Sequence, residues 1–188
     1  MFDLENLKGT FPLPAEILEE IANQSRKVHF EKGSYILRPG EVQQDLFVIL
    51  SGVQMSFLET EKKLHVMAFT YPPGFCAVPE SFLRQQPSEY FIQCLSETRA
   101  LALPLSGFQD LKRRHREFES MLLHMTEEVL CGVLQRHREL HTRTMEERYR
   151  DFTSRSPHLL QMVPHKYLAS YLGIDATNFS KLYNRVRI

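Results

Sequence analysis

The chain contains 188 residues, 43% of them hydrophobic, which suffices for one large globular domain or two small ones. Its formal net charge is +0, yet residues 1–111 contain 9 Lys and Arg against 14 Asp and Glu (net −5), whereas residues 112–188 contain 14 against 9 (net +5). The sequence has neither an apolar run near the roughly 18 residues that span a membrane nor a signal-peptide pattern at its start, so we expect a cytoplasmic protein without membrane contact.

The charge asymmetry has two explanations. A basic C-terminal part could bind the phosphates of a nucleic acid; alternatively, the surface charge is uneven without functional consequence. The three cysteines, Cys76, Cys94 and Cys131, are too widely spaced for a C-x-x-C metal site. We expect reduced and mostly buried thiols.

The N-terminal part of the chain has a strand pattern. A short helix is predicted from Pro14 to Ala22, with proline in its first turn. Seven short runs rich in branched and aromatic residues follow: Val28–Phe30, Tyr35–Leu37, Leu46–Leu50, Val53–Phe57, Leu64–Phe69, Tyr90–Leu95 and Ala100–Leu103. Turn dipeptides such as Pro39-Gly40 and Ser51-Gly52 separate them. Many short strands with regular turns predict an antiparallel barrel or sandwich.

Helical spacing begins at Gly107 and continues to Arg143. The predicted helix is apolar on two sides: one stripe contains Phe118, Leu122, Met125, Val129, Val133 and Leu140, and the other contains Leu123, Leu130 and Leu134. A surface helix needs only one apolar face. We therefore expect one side to pack on its own domain and the other on a second copy of the chain. A helix buried inside a monomer is the alternative.

Residue types used in catalysis and metal binding are present, but their spacing is uninformative. His137 and His141 could share a helix face, yet no H-E-x-x-H motif accompanies them, and solvated or phosphate-facing histidines are favoured over a metal site. The spacing of Ser, His and Asp indicates no triad, and no glycine-rich phosphate loop occurs. We expect no enzymatic activity, no metal and no tightly bound cofactor.

The C-terminal part has a pattern of paired helices. An amphipathic helix is predicted within residues 144–158, ended by Pro157, and Leu159–Val163 is predicted to be an apolar link. The stretch KYLASYLGIDATNFSKLYNRV, from Lys166 to Val186, then has helical spacing on both sides of Gly173.

Gly173 can adopt the left-handed conformation that ends a helix, and Asp175 suits the N-cap of a second helix. Phe179, Leu182 and Val186 would form the inner face of that helix. The arrangement is typical of a DNA-binding helix-turn-helix; an ordinary helical hairpin is the alternative.

The order of these parts resembles the Crp/Fnr family of bacterial transcription regulators. The stretches EKGSYILRPGEVQQDLFVILSGVQMSF and KYLASYLGIDATNFSKL carry the resemblance, which covers nearly the whole chain. It implies an α+β fold with three parts. Residues 1–112 would form a cyclic-nucleotide-binding-like effector domain, an antiparallel β-roll or double-stranded β-helix. Residues 113–143 would form a dimerisation helix, and residues 144–188 a helix-turn-helix (winged-helix-like) DNA-binding domain.

The resemblance also implies partners. The family forms homodimers, here through residues 118–140, that bind near-palindromic DNA and contact RNA polymerase. Its cyclic-nucleotide pocket usually carries Gly-Glu and, several residues later, Arg-Ser. The matching stretch VPESFLRQQPSEYFIQ has Glu80 at the glutamate, Pro79 at the glycine, and Ser88 in the Arg-Ser region without an arginine. Arg84 is the nearest cation. An effector pocket near Glu80, Arg84 and Ser88 would therefore bind an unknown small molecule other than cyclic AMP.

The recognition helix of the family often carries Glu, two residues, then Ser-Arg. Here Ser180 and Lys181 match in character, whereas Thr177 replaces the glutamate, so the usual base preference is not transferred. Because N-terminal residues of a recognition helix usually face base edges, the expected base contacts are Ala176, Thr177, Asn178 and Lys181. The expected phosphate contacts are His165, Lys166, Ser180, Tyr183 and Arg185. The alternative function is a ligand-sensing or protein-interaction module in which the helix pair only packs.

Overall fold

The computed structural model describes residues 11–61 and 63–185. The chain folds into two compact units. The described residues of the first unit lie within Met1–Ser56 and Phe69–Glu127, and those of the second within Phe57–Ala68 and Glu128–Ile188.

Eight strands form two sheets. They are β1 (Arg26–Phe30), β2 (Tyr35–Leu37), β3 (Asp45–Ser51), β4 (Gln54–Thr60), β5 (Lys63–Thr70), β6 (Gly74–Cys76), β7 (Phe91–Cys94) and β8 (Thr98–Pro104). The sheet orders are β1-β8-β3-β6 and β2-β7-β4-β5. The pairs β1–β8, β3–β8, β3–β6 and β2–β7 are antiparallel. All seven predicted strands are confirmed; β6 was not predicted, because three residues after a turn carry no alternation.

Eight helices occur in the described residues. They are α1 (Ala15–Gln24), α2 (Pro79–Arg84), α3 (Leu105–Arg114), α4 (Arg116–Thr142), α5 (Met145–Arg155), α6 (Leu159–Met162), α7 (His165–Leu172) and α8 (Ala176–Arg185). The helical spacing predicted over 107–143 corresponds to two helices, since extended backbone at His115 separates α3 from α4. The apolar link predicted at 159–163 contains the short helix α6, and its end residues Leu159 and Val163 are buried. None of these helices is long and apolar enough to cross a membrane.

Alternation along β3 builds two cores in the first unit. Leu46 and Val48 lie in a cluster with the inner residues of α1, α3 and the start of α4. Phe47 and Ile49 lie in a second cluster with residues of β2, β6, β7 and β8. Successive side chains of a strand point to opposite faces of its sheet, so one strand serves both cores. Cys76 and Cys94 are buried, Cys131 is exposed, and all three are free thiols.

The apolar side chains of α4 that are buried lie in its first turns. Phe118 and Met121 are buried in the first core, and Leu122 and Met125 pack partly against it. Beyond them the apolar side chains are exposed: Leu123, Val129, Leu130, Val133 and Leu134 each expose more than half of their surface in the single chain. The predicted stripe from Phe118 to Val133 is therefore covered in part only, because Val129 and Val133 do not continue the covered face in the single chain.

Helices α5 to α8 belong to the second unit. Their largest buried side chains include Tyr149, Leu168 and Phe179, and the rings of Tyr149 and Phe179 meet edge to face at 5.4 Å. Residues 144–185 form helices and no strand. Of the winged-helix-like domain expected for this part, the described residues therefore contain the helices alone.

Candidate nucleic-acid interface

The turn between α7 and α8 has the predicted geometry. Gly173 has φ 63° and ψ 34°, a left-handed conformation that favours glycine. The amide of Gly173 donates to the carbonyl of Ser170 at 3.1 Å, and that of Ile174 donates to the carbonyl of Ala169 at 2.9 Å. These bonds satisfy carbonyls that the end of α7 would otherwise leave open. The predicted helix boundary at Gly173 is confirmed.

Asp175 caps the second helix, as the sequence predicted. Its Oδ1 atom accepts the amide of Thr177 at 2.8 Å. Backbone hydrogen bonds from Thr177 and Asn178 hold the pKa of the Asp175 carboxyl below its ordinary value, because they stabilise the ionised form. The carboxylate is used by the helix start and is exposed to solvent.

The inner face of α8 is anchored by one aromatic side chain. Phe179 is fully buried, and Leu172 and Ile174 on either side of the turn are buried as well. Ala169 is buried where the two helices cross. Leu182, predicted to belong to the core, is only half-buried, and Val186 lies outside the described residues.

The predicted base contacts occupy the outer face of α8. Ala176, Thr177 and Lys181 are exposed, and Asn178 is half-buried. Thr177 and Lys181 are four residues apart and so lie on the same side of the helix. Since Phe179 points inward, the helix presents these polar groups to solvent.

The predicted phosphate contacts differ in their surroundings. Lys166 and Arg185 are exposed, and the Nζ atom of Lys166 lies 4.7 Å from the ring centre of Tyr167. The hydroxyl of Ser180 donates to the carbonyl of Ala176 at 3.0 Å, so its proton is used inside the helix.

His165 is half-buried, and its ring packs against two aromatic rings of α8. The ring centres are 4.2 Å from Tyr183 and 5.4 Å from Phe179. Tyr183 itself is exposed. The ring of His165 therefore packs α7 against α8, in addition to its predicted role as a phosphate contact.

Arg148 on α5 supports the turn, a role that its sequence position does not indicate. Its Nε atom donates to the carbonyl of Leu172 at 2.9 Å, and Nη2 donates to that of Gly173 at 3.1 Å. Nη1 donates to the carbonyl of Arg143 at 2.7 Å. A cation at the carbonyl end of a helix also interacts favourably with the helix dipole. Nothing in a lone arginine of a charged helix indicates carbonyl partners 24 and 25 residues away.

Ion pairs and hydrogen bonds hold α5 in place, and the ion pairs neutralise some of the basic side chains in this part of the chain. Arg155 binds the buried carboxylate of Glu139 through two bonds, at 2.9 and 3.1 Å. Thr144 and Glu147 form a capping box at the start of α5. Hydrogen bonds from the amide and the hydroxyl of Thr144 lower the pKa of the Glu147 carboxyl, and the charge of Arg143 lowers it further.

Of the three residues predicted to line an effector pocket, two are exposed and one is buried and bonded to the backbone. Glu80 and Arg84 are exposed at the two ends of α2. Ser88 is buried, but its Oγ atom donates to the carbonyl of Tyr90 at 3.0 Å and accepts the amide of Tyr90 at 2.9 Å. Burial, then the charges of Glu80 and Glu89, raises the pKa of the Tyr90 hydroxyl. Both charges that raise the pKa of Tyr90 are therefore carboxylates.

The chain resembles a known domain family and several solved structures. Residues 27–115 match the family described as the cyclic nucleotide-binding domain. No curated protein matches the sequence. Among solved structures, FixK2 from Bradyrhizobium japonicum has a TM-score of 0.74 at 14% identity over 86% of this chain and 83% of that chain.

Two further structures extend the likeness. A mutant of CooA from Carboxydothermus hydrogenoformans has a TM-score of 0.72 at 16% identity, covering 96% of this chain and 82% of that chain. A transcriptional regulator of the Crp/Fnr family from Eubacterium rectale has a TM-score of 0.68 at 14% identity, covering 97% and 85%. The chain has the Crp/Fnr fold.

The Crp/Fnr fold confirms the predicted architecture of a cyclic-nucleotide-binding-like roll followed by helices. Several of the structural neighbours are described as regulators. At these identities the likeness concerns the fold. The domain boundaries at 112 and 143 and the individual DNA and effector contacts remain predictions.

Proposed function

We propose that the protein is a sequence-specific DNA-binding transcription regulator. The observation that carries this proposal is the outer face of α8, where Thr177 and Lys181 are exposed directly after a capped helix start. A helix-turn-helix inserts its second helix into the major groove and reads bases with the N-terminal residues of that helix. Exposed hydroxyl and ammonium groups at these positions are suitable donors to base edges.

Basic side chains around α8 would bind the DNA backbone. Lys166 near the start of α7 and Arg185 at the end of α8 are both exposed. Tyr183, His165 and Ser180 are the further phosphate contacts that we propose. Phosphate contacts set position and orientation but carry no sequence information, so base preference falls to residues 176–178 and Lys181.

A homodimer would present two such helices. The apolar side chains exposed on α4, from Leu123 to Leu134, match the seam of a parallel helix pair. We propose that two copies pack through residues 118–140, that residues 1–112 form the effector domain, and that residues 144–188 form the DNA-binding domain. A two-fold dimer binds half-sites one helical turn apart, about 10 bp, so the operator would be a near-palindrome. The protein would act in the bacterial cytoplasm, where RNA polymerase is its further partner.

The effector would be a small molecule other than cyclic AMP. A buried phosphate requires a cation or several hydrogen-bond donors. Around Tyr90 the acting charges are those of Glu80 and Glu89, and Ser88 is bonded to backbone groups. This corner is unsuited to a cyclic phosphate.

Selection of binding sites from a random DNA pool tests the function. We expect enrichment of a near-palindrome, and titrations at several salt concentrations should show affinity falling steeply with salt, since bound phosphates release counterions. A pool without enrichment, together with no salt-dependent binding, would favour the alternative of a ligand-sensing or protein-interaction module.

A further inference from the structure

The outer edge of β5 forms hydrogen bonds with side chains of two helices, α4 and α7. β5 ends its sheet, in the order β2-β7-β4-β5. An edge strand exposes a row of backbone donors and acceptors that no strand pairs. In β5 the backbone groups of Leu64 and Val66 on this edge instead bond to Ser170 and Arg136. The hairpin segment Phe57–Ala68, α7 and the part of α4 from Glu128 onward all belong to the second unit.

Ser170 takes the place of a strand partner. Its Oγ atom accepts the amide of Val66 at 3.0 Å and donates to the carbonyl of Leu64 at 2.8 Å. In an antiparallel strand, residues two apart direct their backbone groups to the same edge. One hydroxyl on α7 therefore satisfies a donor and an acceptor of the same edge.

Arg136 on α4 joins the same strand to the end of α7. Its Nη1 atom donates to the carbonyl of Met67 at 2.6 Å, and Nη2 donates to the carbonyls of Val66 at 3.1 Å and Tyr171 at 2.9 Å. The guanidinium also lies 4.1 Å from the ring centre of Tyr171. Burial lowers the pKa of Arg136, so these carbonyls replace part of its hydration.

The contacts end beside the recognition helix. Ser170 and Tyr171 form the last turn of α7, directly before Gly173. Lys63, at the start of β5, is close enough for its charge to favour the ionised form of Asp175 at the start of α8, which contributes to the lowered pKa of that carboxyl after the backbone hydrogen bonds. The charge at the start of β5 therefore acts on the residue that caps α8.

We propose that Ser170 and Arg136 are positioning residues for DNA reading, which fix the orientation of α8 relative to α4 through the β4–β5 hairpin. This inference rests on the proposed function, since α4 carries the dimer seam and α8 reads the DNA. The angle between them sets the separation of the two recognition helices in a dimer. A palindrome requires that separation to match about one helical turn, whereas a single half-site does not.

The test compares Ser170→Ala, the rescue variant Ser170→Thr, and Arg136→Lys. Hydrogen exchange at the Val66 amide reports the contact without DNA. We expect about tenfold faster exchange in Ser170→Ala, recovery in Ser170→Thr, and unchanged exchange at Val48 and Leu101 in the roll. In titrations, Ser170→Ala and Arg136→Lys should bind the selected palindrome about tenfold more weakly and an isolated half-site with unchanged affinity. Ser170→Thr should restore palindrome binding.

Three results would overturn the inference. Unchanged exchange at Val66 in Ser170→Ala would show that the hairpin contact is absent. Equal weakening on palindrome and half-site would assign a local folding role instead of positioning. Faster exchange with palindrome binding at the wild-type level would separate the contact from reading. If the wild-type protein selects no DNA, the proposed function is wrong and the positioning role fails with it. Hydrogen exchange would still show whether Ser170 bonds the Val66 amide.

Discussion

Oδ1 of Asp175 accepts the amide of Thr177 at 2.8 Å, and this bond caps the start of α8. Because the pKa of Asp175 is lowered in the folded protein, its stabilisation is complete above the pKa of the unfolded chain, about 3.9, and is lost as pH falls through the folded value. We expect wild type to exceed Asp175→Ala in stability near neutral pH and the difference to shrink below pH about 4. Urea unfolding across this range measures it.

Asparagine provides the control, since Asn also caps helices but does not ionise here. Asp175→Asn should keep most of the stability near neutral pH. A difference between wild type and Asp175→Ala that does not change with pH would show that the carboxylate does not act through its charge.

Gly173→Ala should destabilise the second unit. A left-handed conformation costs a residue with a Cβ roughly 1–2 kcal/mol. The added Cβ would also lie 3.1 Å from the Cδ2 atom of Leu140. Gly132→Ala on α4 is the matched control, because its Cβ would meet nothing within 4 Å. In a helix interior that substitution should stabilise by about 1 kcal/mol. Thermal unfolding of both variants decides, and equal shifts would contradict the turn geometry.

Local signals predicted the turn well. Gly173 and Asp175 act on backbone groups within a few residues, so glycine conformation and capping chemistry reveal them from the sequence alone. The strands of the roll were likewise visible, because alternation is a property of each strand. The side on which α4 would be covered was harder to predict, since a periodic stripe does not show where the supporting core ends. The predicted stripe that contains Phe118 and Val129 therefore begins buried and continues exposed in the single chain.

Long-range polar contacts were not predictable. Ser170 bonds Leu64 across 106 residues of sequence, and Arg136 bonds Val66 across 70. Their partners are backbone carbonyls and amides, which nearly every residue carries, so no side-chain pattern marks them. Arg148 is similar: in a helix rich in charges, its three carbonyl bonds look like ordinary surface charge in the sequence.

Val129→Glu should prevent dimer formation. Val129 is 62% exposed in the single chain, and two like charges at a two-fold seam would be buried without partners. Light scattering should give a dimer for the wild type and 22.1 kDa for the variant. Cys131→Glu, an exposed position two residues away on another side of α4, should remain dimeric. A wild type that stays monomeric at micromolar concentration refutes the seam.

Cyclic AMP should bind weakly or not at all. The corner that matches the family pocket carries Glu80 and Glu89 near Tyr90. Calorimetry with cyclic AMP, and with adenosine as a control that lacks phosphate, separates repulsion of the phosphate from poor fit of the base. Adenosine should bind no more weakly than cyclic AMP. A sub-micromolar dissociation constant for cyclic AMP would show that the assignment of VPESFLRQQPSEYFIQ to the pocket is wrong.

Lys181→Ala and Arg185→Ala should weaken DNA binding in different ways. Lys181 is exposed on the side of α8 that also carries Thr177, and a lysine can donate to O6 and N7 of guanine. Removal of a good base contact costs roughly 1–3 kcal/mol. We therefore expect Lys181→Ala to weaken binding of the selected site and to relax the preference at one base position per half-site.

Arg185 lies at the end of α8 and is exposed. If Arg185 binds phosphate, Arg185→Ala should weaken binding to all sequences about equally. The slope of log affinity against log salt concentration should fall by about 1 for each phosphate that the variant no longer binds. Neither side chain belongs to the apolar face, so both variants should keep the fold and the oligomeric state of the wild type. Titrations of the selected site and its single-base variants at several salt concentrations distinguish the two roles. Unchanged specificity in Lys181→Ala would mean that other residues of α8 read the bases.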